Sequence, residues 1–260
     1  MRGRRREVGK KATLGWARSR LSGAVGVHAF VVAGLSVVYS LWTRGLRRTL
    51  RFAALGNAIP VLGEHLAVNV LKVLRHHHAR PQVGGVPVAV ALAWYNIGYG
   101  TFVMMTSFLG AILGASDPRE RDPSRALAPV EALAAPSLDL LLDPAGLDLD
   151  LWQWSGGLYA AEVEGTNGKR GVPLLNFAGW ISLITGVTLA YWGLNPGTDP
   201  ARLVRPGLAG GPCSGRGAAL LLLSYYLPAG AWATKRCRFR YLLYSAPFAA
   251  LLWAALKDSS

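Results

Sequence analysis

Apolar runs of about 20 residues recur along this chain, and no other feature limits its fold as strongly. A helix rises 1.5 Å per residue, so a run of roughly 20 apolar residues crosses the hydrocarbon core of a bilayer. Lipid offers the backbone no hydrogen bonds, so a run exposed to lipid must satisfy its own N–H and C=O groups as a helix. Apolar blocks lie at 22–42, about 52–74, 86–114, 126–143, 172–192, 217–233 and 240–256. The second contains Pro60, Glu64, His65 and Asn69, and the fourth ends in LDLLLDP, so the expected count is about seven spans within a range of five to seven. Hydrophobic residues make up 52% of the chain and charged residues only 16%, against about 25% charged in soluble domains. The expected fold is all-α: a multi-pass integral membrane helical bundle in the cell membrane. A basic tail, 1–21, precedes a single transmembrane domain, 22–256.

The formal net charge is +14. On a soluble protein that would suggest nucleic acid. Here the cations cluster between apolar blocks, as in RGLRRTLR (44–51) and TKRCRFR (234–240). Such clusters orient membrane proteins and attract anionic headgroups. Membrane lipid is the expected partner, and nucleic acid is not. Cys213 and Cys237 flank the sixth block, which sets them near opposite faces, so no disulfide is expected. Ser-His-Asp spacing, Walker and Rossmann glycine patterns, CxxC and aspartate-rich DDxxD motifs are absent. No metal site is expected. His76, His77 and His78 are consecutive and follow a span, so they read as a solvated loop.

One pattern is written twice. Residues 85–94 read GVPVAVALAW and residues 171–180 read GVPLLNFAGW. Proline is suited to the first turn of a helix, so each Gly-Val-Pro reads as a helix entry. Trp94 and Trp180 then fall two turns in, deep enough to wall a cavity. Both copies run the same way in the chain, whereas many transporters carry inverted repeats. Asn176 precedes Trp180 by one turn on the same face and needs a partner, either another helix or a substrate or water. Trp94, Tyr95, Asn176 and Trp180 are the candidate substrate-contacting residues.

Ionisable groups inside spans are functional hypotheses. Glu64, Asp139 and Asp143 are the candidate catalytic residues. Asp139 and Asp143 are four apart and share a helix face. Asp143 precedes Pro144, which places it near a helix end and open to interfacial water. Asp139 and Glu64 have the alternative of an internal ion pair with Lys72 or an arginine. A carboxyl group in apolar surroundings can keep its proton and act as an acid, and aromatic faces stabilise cations. Together they permit protonation of an isolated alkene.

The order Gly84-Gly85-Val86-Pro87, Leu92-Ala93-Trp94, Leu140-Leu141-Leu142-Asp143-Pro144, Trp152 and Trp154, Gly156-Gly157, Tyr159, Gly171-Val172-Pro173-Leu174 and Asn176-Phe177-Ala178-Gly179-Trp180 resembles a family. It is the membrane carotenoid biosynthesis family of carotenoid 1',2'-hydratases, which includes the bisanhydrobacterioruberin hydratases. The similarity covers roughly residues 50–195. It implies a multi-pass helical protein that works without a cofactor. It implies water addition across the terminal double bond of an acyclic carotenoid, leaving a tertiary alcohol, with other carotenoid biosynthesis enzymes as possible partners. Glu64 falls where the family has a glutamate in its second helix, and Asp139 and Asp143 match its Asp-x-x-x-Asp-Pro stretch. After that glutamate the family tends to carry Thr-Gly, Pro-Phe-Gly and Tyr, where this chain reads HLAVNVLKVLRHHHARPQ. The acidic stretch AAEVEGTNGKR before the second Gly-Val-Pro also departs from the family. The alternative to an enzyme is a non-catalytic carotenoid or lipid carrier, or an assembly partner.

Overall fold

The computed structural model describes residues 2–77, 79–113, 123–157, 159–160, 171–195 and 213–257. Among them the chain forms eight α-helices: α1 (Arg2–Arg44), α2 (Leu46–His65), α3 (Val88–Leu113), α4 (Pro123–Asp148), α5 (Leu174–Gly193), α6 (Cys213–Lys235), α7 (Phe239–Tyr244) and α8 (Ala246–Lys257). Short strands β1 (Leu74–His76), β2 (Gln82–Val83), β3 (Val86–Pro87) and β4 (Trp152–Trp154) lie between them.

The fold is a helical membrane bundle. Among the described residues, three segments are long and apolar enough to cross a membrane: Gly23–Arg44, Val88–Met105 and Leu174–Gly193. Ala246–Lys257 is apolar but shorter. Three of the expected spans are thus met by length and composition among the described residues. The second block begins earlier than expected, at Leu46, and brings Arg47, Arg48 and Arg51 into α2 along with Glu64. The fourth, α4, carries Asp139 and Asp143 within its apolar length.

The span in α3 is 72% buried, against 28% for those in α1 and α5. The central helix is thus α3, which packs on α1, α2, α4, α6 and α8. The outer faces carry large apolar side chains such as Val38, Leu189, Leu227 and Trp253, all exposed, as suits a lipid-facing surface.

Both Gly-Val-Pro entries hold to within a residue. Helix α3 begins directly after Pro87, and Pro173 is the residue that precedes the first turn of α5, with ψ 147°. The second block does not stay helical to its end. Helix α2 stops at His65 and widens into a π turn, Leu66–Val70, a form frequent at functional sites. The chain then leaves the helix as β1.

Two antiparallel ribbons supplement the helices. β1 pairs with β4 in the register Leu74↔Trp154, Arg75↔Gln153, His76↔Trp152. β2 pairs with β3 through Gln82↔Pro87 and Val83↔Val86. Each ribbon gives non-helical backbone its partners inside the assembly. The β2–β3 turn needs Gly84 (φ 57°) and Gly85 (φ 81°), a left-handed pair suited to a two-residue hairpin. A Cβ on Gly85 would lie 3.1 Å from Val68, so this turn nests against the π segment. The Asn69 amide secures the contact by donating to the Gly84 carbonyl at 2.6 Å. The acidic stretch before the second Gly-Val-Pro lies almost wholly outside the described residues, as do the loop 114–122 and most of the Gly/Pro-rich segment 195–217.

Candidate active site

Helix α4 supplies the two aspartates. Asp139 and Asp143 lie one turn apart and are 5% and 3% exposed. Asp143 is therefore not at a solvated helix end. The helix passes through Pro144 and continues to Asp148. Proline cannot donate to the carbonyl four residues back, which here belongs to Leu140. The Tyr159 hydroxyl donates to that carbonyl instead. The Asp-Pro pair thus gives an uninterrupted helix with one carbonyl taken by a side chain from a later loop. Burial raises the Tyr159 phenol above its ordinary range, so the hydroxyl stays a donor.

The β1–β4 ribbon lies against this helix. Residues two apart on a strand share a face, so Trp152 and Trp154 project together. Trp152 Nε1 donates to Asp143 Oδ1 at 2.7 Å, and Trp154 Nε1 approaches the same oxygen at 3.5 Å. A Cβ on Gly146 would lie 2.1 Å from the Trp152 ring, so only glycine lets the indole close on α4.

Helix α5 brings Asn176 in its first turn. Its Nδ2 donates to Asp139 Oδ2 at 2.8 Å and to Asp143 Oδ2 at 2.6 Å. One amide thus bridges both carboxyl groups. Another helix, α4, thus supplies partners for Asn176.

Glu64 occupies the last turn of α2, with its side chain 12% exposed. Among the described residues its partner is neither Lys72 nor an arginine. Trp94 Nε1 donates to Oε1 at 2.9 Å, and His76 Nε2 lies 3.0 Å from Oε2. Trp94 in turn stacks on Trp180, with centroids 3.7 Å apart and planes 26° apart. The two tryptophans of the repeated pattern therefore form a single aromatic wall.

These side chains enclose a cavity of about 100 Å³ lined by Glu64, His76, Trp94, Asp139, Asp143, Trp152, Trp154, Asn176 and Trp180, among others. A second cavity of about 230 Å³ shares Glu64, Leu74, Trp94, Trp154, Asn176 and Trp180 with it. It runs between α2 and α5 past Leu66, Leu71 and Leu175, which are 44%, 55% and 60% exposed. Its mouth is lined by these exposed leucines.

Six of the seven expected residues come together here: Glu64, Trp94, Asp139, Asp143, Asn176 and Trp180. Tyr95 does not. It follows Trp94 in sequence but turns to the other side of α3, buried against Phe52 and Tyr99. His76 is the main residue that sequence reasoning missed. Its side chain is 4% exposed rather than part of a solvated loop. The neighbouring His77 bonds Asp150 at 2.9 Å, and His78 lies outside the described residues. The overlooked signal was the spacing of two: Leu74 with His76, and Trp152 with Trp154, line the same cavity from paired strands.

A family model described as "Carotenoid biosynthesis protein" matches residues 25–202, a stretch that contains every residue of this site. No curated protein and no solved structure matches the chain.

Proposed function

The chain belongs to the carotenoid biosynthesis protein family, and from that premise we propose that it adds water across the terminal 1',2' double bond of an acyclic carotenoid. The observation that carries this reading is the aspartate pair bridged by Asn176, set in a cavity walled by stacked tryptophans.

The substrate class follows from the surroundings. A long polyene is soluble only in the bilayer, and the cavity between α2 and α5 opens among exposed leucines that suit a lipid-facing surface. The end group enters there and its terminal alkene comes to rest among carboxyl and indole groups. The protein then acts as a multi-pass enzyme of the cell membrane.

Hydrogen-bond bookkeeping separates the two aspartates. Asp143 accepts from Asn176, from Trp152 and at longer range from Trp154, as suits a carboxylate. Asp139 accepts from Asn176 and is the better holder of a proton. In the proposed reaction Asp139 gives that proton to the less substituted alkene carbon. The tertiary cation that results is faced by the Trp94 and Trp180 rings, whose electron-rich faces favour positive charge. Water adds to the cation and loses a proton, leaving a tertiary alcohol. No cofactor is needed.

The test is co-expression in a host that makes lycopene, followed by mass analysis of the pigments. The expected product has gained one water and carries a tertiary hydroxyl. Absence of any water adduct, with the protein present and folded in the membrane, overturns the hydratase reading in favour of a carrier.

A further inference from the structure

We infer that His76 completes a Glu64–His76 dyad that removes the proton from the attacking water, so that the cavity has an acid side and a base side. The inference rests on the hydratase reading above.

Glu64 does not share the hydrogen bonding of the aspartate pair. Trp94 Nε1, which can only donate, occupies Oε1, and His76 Nε2 occupies Oε2. With His76 in the tautomer that carries its proton on Nε2, both contacts are donated to Glu64, which leaves it the accepting partner, a base rather than an acid. The base side and the acid side line one cavity but come from different elements, α2 and β1 against α4 and α5. The ribbon ties them together. His76 pairs directly with Trp152, and Trp152 holds Asp143. A single strand pair thus orients a donor onto Glu64 and onto Asp143.

The chemistry balances. The Asp139 proton forms the new C–H bond and leaves a carboxylate. Water forms the C–O bond to the cation, and its O–H bond breaks toward Glu64. Glu64 holds this proton while the His76 Nε2–H keeps its other oxygen in place. Its return to Asp139 across the cavity, carried by the next water, restores the enzyme. The sum is alkene plus water to alcohol. His76 acts through Glu64 and is therefore a positioning residue.

The two halves separate in heavy water. Protonation followed by return of a proton to Asp139 exchanges the alkene hydrogen without making alcohol, and this needs the acid side only. Membranes holding the full-length protein are incubated with lycopene in D2O, and both alcohol and deuterium in recovered lycopene are measured. H76L removes the Nε2–H donor that holds Glu64 as the base. Its alcohol formation is expected to fall by roughly tenfold or more, in the range of lost general-base catalysis. Deuterium exchange should stay within about twofold of wild type, and that retained exchange also reports a folded site. E64Q should behave in the same way, whereas D139N should lose both signals. H76Q, which returns a donor to Glu64, should recover most of the alcohol formation. Alcohol formation by H76L near the wild-type rate overturns the dyad. So does parallel loss of alcohol and exchange in both H76L and E64Q. A wild-type protein that gives neither alcohol nor exchange overturns the hydratase reading itself.

Discussion

Around Asp143, buried polar atoms are matched to partners. Two indoles and an amide donate to the aspartates, and an indole and an imidazole meet Glu64. None of these groups is left buried without a partner. Around Phe52 the opposite holds. Tyr99 and Tyr191 pack on its ring at 5.3 Å, and their hydroxyls have no partner among the described residues, nor do the Tyr95 hydroxyl and the Trp192 N–H. Arg44 is 6% exposed, rests 4.8 Å above the Phe102 ring and has an unpartnered Nη1. Asn176 and Tyr191, on the same helix, sit in the two regions, about 22 Å apart by helical rise. One region is organised by directional bonds and the other by packing and ring edges. Directional bonds fix where a proton sits, and packing fixes only shape. The contrast supports setting the proposed chemistry at the acid cluster.

The largest expected effect comes from breaking the matched region at its centre. D139N keeps size and shape but cannot deliver a proton. Alcohol formation should fall by about 10²–10⁴-fold, the usual contribution of a general acid. Folding should change by less than about 1 kcal/mol, since Asn can accept from Asn176 through its carbonyl. Pigment mass analysis against protein level in the membrane checks both.

N176L strikes the bridge between the carboxyl groups. Both aspartates would lose a donor at once, at a cost of about 1–3 kcal/mol for buried groups left unsatisfied. Thermal unfolding in detergent should show that loss, together with an activity drop of about tenfold to a hundredfold.

G146A tests the site from one atom outside it. The added methyl would overlap the Trp152 ring and push the indole off Asp143. Overpacking of this kind costs about 1–3 kcal/mol, and a several-fold loss of activity is expected. G186A is the matching control: it sits in α5 with open space around its position and should be neutral or stabilising by up to about 1 kcal/mol. Equal effects from the two would show that Trp152 is not a fixed part of the site.

How much of this was legible follows the same physics. Helix-forming entries and the shared face of Asp139 and Asp143 could be read because they depend on local spacing. The Trp94–Trp180 wall could be anticipated because the pattern occurs twice, although its stacking is a tertiary fact. The passage of α4 through Pro144 could not, because the carbonyl it frees is taken by Tyr159, 19 residues beyond Leu140. His76 was hidden for a similar reason. Its strand exists only by pairing with a segment more than 70 residues later, and three adjacent histidines look like surface when no partner strand is in view.

The smallest effect belongs to the packed region and decides whether the contrast is real. Y99F and Y191F remove hydroxyls that have no partner and leave the ring contacts with Phe52 in place. Burying an unsatisfied hydroxyl costs about 1–3 kcal/mol, and an apolar replacement of the same shape can be neutral or stabilising. Each variant should therefore unfold at the wild-type temperature or slightly above it, with alcohol formation unchanged. A loss of activity at either position, with stability kept, would mean that these hydroxyls hold water or substrate. The catalytic machinery would then extend along α3 and α5, and the division between a bonded site and a packed core would fail.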